Sequence, residues 1–120
     1  MTDRSVQLPD GWRGRNEGAA AYACERPVDD QRRVVLEVTP ETAHERVQLR
    51  AAAVDEGATL TEQEFLVGEY ETVEAALDAL AAFAETVSEM AVGTGEHPIA
   101  VDLREAVETF QDRQAGWFAD

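Results

Sequence analysis

Strict alternation of apolar and polar residues is the clearest signal in the first two thirds of the chain. From Arg33 to Thr39, Val34, Leu36 and Val38 fall on one side and Val35, Glu37 and Thr39 on the other, which predicts a β-strand that Pro40 should stop. From Arg46 to Val54, Val47, Leu49, Ala51 and Ala53 alternate with Gln48, Arg50 and Ala52, and Asp55-Glu56-Gly57 supplies a turn. The next strand, Leu60 to Glu71, is apolar on both sides, with Phe65 and Val67 on one and Leu66 and Tyr70 on the other. Ahead of these, Ala19 to Arg26 suits strand or helix by propensity; its shortness and the flanking Gly18 and Pro27 favour strand. Residues 1–18 hold Pro9 and three glycines with no apolar period, so they read as an irregular arm that Trp12 is placed to pin down.

After residue 71 the period changes from two to 3.6. Val73, Ala76, Leu77, Leu80, Phe83, Ala84, Val87 and Met90 form one apolar stripe, with Thr72 as cap and Gly93 and Gly95 as terminators, which predicts a helix over 72–91. Its opposite side carries Glu74, Asp78, Glu85 and Glu89. A second helix is expected from Leu103 to about Gln114, opened by an Asp102/Glu105 capping box and released at Gly116. The sum is an α+β fold: a four-stranded antiparallel meander followed by two helices, a two-layer sandwich over residues 19–120. Helix 72–91 closes one sheet face. On the other, Val35, Val54, Leu66 and Tyr70 would be exposed unless the last helix, the arm around Trp12 or a second subunit covers them, and a homodimer or protein partner is the economical cover. Leu66, Tyr70 and the terminal aromatics Trp117 and Phe118 are therefore the candidate interface.

Composition bounds this picture. Leu, Ile, Val and Phe supply only 26 of the 120 residues, and 20 alanines fill much of the rest, so one modest core is affordable. No stretch approaches the roughly 18 apolar residues of a membrane span, and Met1-Thr2-Asp3-Arg4-Ser5 has no apolar signal core, so a soluble cytoplasmic chain is expected. A lone cysteine, Cys24, agrees with a reducing compartment.

Charge changes the picture most. Asp and Glu total 25, the cations total 10, and every cation is arginine, for a net charge of −15. Self-repulsion on that scale costs stability, and the cost falls as the Debye length shrinks from about 10 Å at 0.1 M salt to about 3 Å at 1 M. In this the composition resembles the proteins of haloarchaea, which keep molar salt in the cytoplasm. That resemblance implies a halophilic chain bathed in monovalent cations, with its carboxylates serving mostly as a hydration coat. The charge is also uneven along the chain: residues 1–60 carry 8 arginines against 11 acids, residues 61–120 carry 2 against 14.

Chemistry-bearing patterns are sparse. Cys24, His44 and His97 show no metal-ligand spacing, so no metal or cofactor is expected, and Cys24 reads as a buried strand residue. The pairs Glu62/Glu64 and Glu69/Glu71 are what an acid-rich surface produces by chance. In the arm, Trp12, Arg13 and Arg15 among glycines could contact a partner or, less favourably for so negative a chain, nucleic acid; Gly11-x-x-Gly14 has the spacing of a KH phosphate loop without the helix that loop requires. No set of residues suggests a reaction, and the expectation is a non-enzymatic interaction or assembly module. Nucleic-acid regulation, by arm contact or acidic mimicry, is the alternative, and a small enzyme the third class.

Overall fold

Only a few residues separate successive alternating segments, so each strand pairs with the one before it. The computed structural model describes residues 6–15, 21–41, 46–57, 59–95 and 98–118, without the side chains of 41 and 115–118. Its strands are β1 (Arg13–Arg15), β2 (Tyr22–Pro27), β3 (Arg32–Glu41), β4 (Arg46–Asp55) and β5 (Thr61–Tyr70), and its helices α1 (Val73–Glu89) and α2 (Ile99–Phe118). The strands form one antiparallel sheet in the order β1-β2-β3-β4-β5. The α+β class and the meander followed by two helices are as expected; the strand count is five, not four. The extra strand, β1, lies within the segment read as an arm. Arg13-Gly14-Arg15 is too short to show a period, and its extended form comes from pairing with Glu25, Cys24 and Ala23.

Pro40 does not stop β3. It pairs with Val47 inside the strand, while the β2 ladder ends at Tyr22 opposite Val38. Beyond Val38 only β4 flanks β3 among the described residues, and a residue without an N–H is tolerated on such an edge. Asp29 builds the β2–β3 turn, its carboxylate accepting from the N–H groups of Gln31 (2.9 Å) and Arg32 (2.8 Å) and from Arg32 Nε (2.8 Å).

One side of the sheet is the core. Cys24, Val34, Leu36, Val38, Leu49 and Ala51 meet the stripe of α1, with Leu80, Phe83 and Val87 fully buried, and Leu103, Val107 and Phe110 of α2. Phe83 and Phe110 meet edge to face with centroids 5.3 Å apart. Trp12 packs on this core and donates its indole N–H to Ser88 Oγ at 3.0 Å, so the N-terminal segment is indeed pinned, to α1.

The C-terminal end of α1 and both ends of α2 depart from expectation. Thr72 caps α1 as expected, its hydroxyl accepting from Ala75 N–H at 3.0 Å. The helix ends at Glu89, and the left-handed residue that follows the Met90 cap is Ala91 (φ +52°), not a glycine. Ala91 N–H donates to Ser88 O at 3.1 Å and Val92 N–H to Val87 O at 3.3 Å, the two bonds of a Schellman motif. Helix α2 starts four residues before Leu103, at Ile99, with Pro98 O accepting from the N–H groups of Val101 and Asp102. Asp102 is thus no cap; its carboxylate accepts from Gly93 N–H at 3.1 Å and ties the helix to the preceding turn. Gly116 does not end the helix, which continues through Trp117 and Phe118; a helical glycine costs only about 1 kcal/mol and needs a further breaker to stop the turn. The side chains of Trp117 and Phe118 lie outside those described, as do His44 and His97. Among the described residues, no helix is long and apolar enough to cross a membrane.

Candidate functional site

Directly paired residues of neighbouring strands share a face, so the register defines the sheet's outer side. One row reads Arg13, Glu25, Val35, Ala52, Glu64 and the next Arg15, Ala23, Glu37, Arg50, Leu66. Val35, Ala52 and Val54 form a small apolar floor, each 5% exposed. Charged side chains of the same chain cover it, as long stems lying across apolar surface do. The chain by itself therefore buries Val35 and Val54, while Leu66 on the same face stays open.

Glu25 is the centre of this cover. Its carboxylate accepts from Arg13 Nε and Arg15 Nη1, both at 2.8 Å, while Arg33 Nε stands 3.9 Å away and Arg33 Nη1 bridges to Glu56 at 3.2 Å. Burial alone would raise the Glu25 carboxyl, but the hydrogen bond from Arg13 and the charges of Arg13, Arg15 and Arg33 outweigh it and hold the group below the usual glutamate range. Arg13 and Arg15 would have to leave Glu25 to meet a phosphate. Further along, Arg50 Nε and Nη2 donate to Gln48 Oε1 at 3.0 and 2.8 Å, and Gln48 Nε2 donates to Glu69 at 3.2 Å, linking β4 to β5. The charge asymmetry along the sequence thus becomes spatial: arginines gather on the outer sheet face, while α1 carries four acids and no cation.

Tyr70 does not share a face with Leu66. A bulge between the Leu49–Gly68 and Arg50–Leu66 pairs inserts Val67 and reverses the alternation, so Tyr70 pairs with Val47 and packs half-buried on the helix-covered side. Its ring crosses Gly68, where a Cβ would come within 2.6 Å of the phenol oxygen. Leu66 precedes the bulge and stays on the outer face, 42% exposed.

Leu66 is one of three large exposed apolar residues among those described, with Leu60 (66%) and Val101 (43%), and all three lie along the β5 margin. Beside that margin run three open hollows between β5 and α2. The first, 310 Å³, is lined by Thr61, Gln63, Ile99 and Val101 among others; the second, 370 Å³, by Gln63, Phe65, Val101 and Arg104; the third, 360 Å³, by Gly68, Tyr70, Phe110 and Gln111. Among the described residues β5 has no strand on its outer edge, and Gln111 Nε2 donates across it to Leu66 O (3.4 Å) and Val67 O (3.1 Å). Residues 61–64 beyond that cap are exposed. Sequence reasoning pointed to Leu66 but missed Leu60, Val101, Gln111 and Glu25. Val101 is the recoverable one, an exposed valine just ahead of a helix whose start was placed too late.

Cys24 is fully buried in β2, its thiol pushed up to about 12 by burial and, secondarily, by the Glu25 charge, which leaves almost no thiolate near neutrality. It lines none of the three hollows. Among the described residues no three His, Cys, Asp or Glu side chains are grouped to hold a metal ion. The chain matches no protein-family model, no curated protein and no solved structure.

Proposed function

We propose that the protein is a non-enzymatic interaction module that docks a protein partner along its β5 margin, in a concentrated monovalent salt. The observation that carries this reading is the convergence, on one margin, of an unpaired strand edge, three hollows and all three large exposed apolar residues described. Unpaired strand edges are adhesive, and a chain that leaves apolar side chains beside one has a surface suited to docking. The salt requirement is supported by composition and by the acidic outer side of α1, a helix that carries four acids and no cation of its own.

The test is site-specific photo-cross-linking in the protein's own host cells. A cross-linking side chain at Leu66 or Val101 should give covalent protein adducts, and one at Glu85 on α1 should not. Adducts at all three positions, or at none, would refute the reading.

Self-association through the outer sheet face is a second reading, favoured by that face's opposite margins. Arg13, Arg15 and Arg33 lie toward β1–β3 and Glu62, Glu64 and Glu69 on β5, so a two-fold axis along the strands would set each margin over its complement. Light scattering on the intact chain in molar salt should then give twice 13.1 kDa, reduced to one by Arg33→Glu. A single-chain mass throughout would remove this reading and leave the first untouched.

A further inference from the structure

The docking margin has a definite chemistry, and the inference drawn from it rests on the docking reading above. In a strand the N–H and C=O of one residue point to the same side and successive residues alternate. Since Gln111 reaches the Leu66 carbonyl from the open edge, the backbone polar groups of Leu66, Glu64 and Glu62 all face that edge. Their side chains stand on the outer sheet face, while Gln63 and Phe65 point to the hollows beside Val101. An incoming strand would continue both rows. On the outer face its side chains would lie next to Glu62, Glu64 and Leu66; on the other they would enter the hollow of Phe65, Ala100 and Val101. The carboxylates of Glu62, Glu64 and Glu69 border this margin beside the guanidinium of Arg104.

We propose that the β5 edge binds an extended segment of a partner protein by strand addition, and that this segment alternates cationic residues facing Glu62 and Glu64 with apolar residues filling the Phe65–Val101 hollow. A second copy of this chain is the poorer occupant, because β5 against β5 would bring these glutamates together without a cation between them. Molar salt weakens long-range attraction but leaves directly opposed pairs in contact, so the pairing works in the solvent the composition suits.

The experiment uses the intact chain in 1 M KCl and two nine-residue peptides, one alternating Arg and Val, the other Glu and Val, with binding read by fluorescence anisotropy and site by amide exchange. The Arg/Val peptide should bind at least ten-fold more tightly than the Glu/Val peptide and should protect the Glu64 and Leu66 amides. Glu64→Pro removes an edge N–H without touching the β4 ladder and should weaken binding at least ten-fold, whereas Glu85→Gln, which removes the same charge from α1, should change it less than two-fold. Equal losses in the two variants, equal affinity for the two peptides, or binding without protection of Glu64 and Leu66 would each overturn the proposal. The exchange measurement uses the unmodified chain and holds even where Glu64→Pro fails to fold. Cross-links at residue 66 without Arg/Val binding sink this inference alone; loss of both sinks the docking reading with it.

Discussion

Replacing Glu25 by Gln keeps the shape of the side chain and removes the charge on which Arg13, Arg15 and Arg33 converge. The carboxylate is largely buried and accepts two short bonds from guanidinium groups. Its partners are unequal: the Arg13 side chain is 68% exposed and can return to water, whereas those of Arg15 and Arg33 are less than a third exposed. Fully exposed ion pairs contribute about 0–1 kcal/mol and breaking a fully buried one costs about 3–5, so this intermediate site should lose about 2 kcal/mol. With a urea slope of roughly 1–3 kcal/mol per molar, the unfolding midpoint should drop by about 1 M. The pH dependence makes the test specific among 25 acids. Glu25 lies below its ordinary value of 4.5 in the folded chain, so the unfolded state takes up the proton first as pH falls. Its contribution is complete above that value and is lost as pH drops through the folded one. Urea unfolding of both chains in 2 M KCl, from pH 7 downward, should show a gap that is constant to about pH 5 and then closes. A gap under about 0.5 kcal/mol at pH 7, or one that persists on acidification, would refute the assigned role.

Ala91→Gly should stabilise the chain by about 1 kcal/mol, because alanine at φ +52° bears a left-handed strain that glycine avoids, and should raise the thermal midpoint by about 4 °C; a fall would contradict the Schellman assignment. The Cys24 thiol, pushed up to about 12, should react with a disulfide reagent at pH 8 only as fast as the chain opens, so sub-denaturing urea should accelerate labelling, and immediate native-state labelling would contradict its burial. Raising KCl from 0.1 to 2 M should raise the thermal midpoint through screening of the net charge of −15, and an unchanged midpoint would remove the case for a brine-adapted coat.

What the chain's letters revealed, and what they withheld, follows the physics of each element. The apolar stripe from Val73 to Val87 specified α1 almost to its ends, because a 3.6 period summed over seventeen residues outweighs any single exception. The alternation of β3 and β4 likewise named the helix-facing residues correctly, from Val34 to Ala53, but not the burial of Val35, Ala52 and Val54 on the other side. Tyr70 lies on the other side from Leu66 because a bulge changes the face of everything beyond it, and the isolated Gly68 inside the strand pattern is its one local mark. Strand β1 and the extension of β3 through Pro40 depend on which neighbour lies alongside, information held in the register and not in the segment itself. The same is true of the docking margin. Leu66 stood out as an apolar residue on a polar face, but the hollows arise only because α2 begins at Ile99 and lays Val101, Arg104 and Gln111 beside β5. Glu25 was invisible among so many acids until pairing placed Arg13 and Arg33 on either side of it.

Amide exchange at the β5 edge probes the docking reading without assuming any partner. The isotope-labelled chain is placed once in molar potassium salt alone and once in an unlabelled extract of its host cells. The Glu62 and Glu64 amides, open at the edge in the lone chain, should exchange freely in salt and slow by at least ten-fold in extract, while the amides of the β3–β4 ladder stay equally protected in both. Identical exchange at Glu62 and Glu64 in the two samples would mean that nothing docks there.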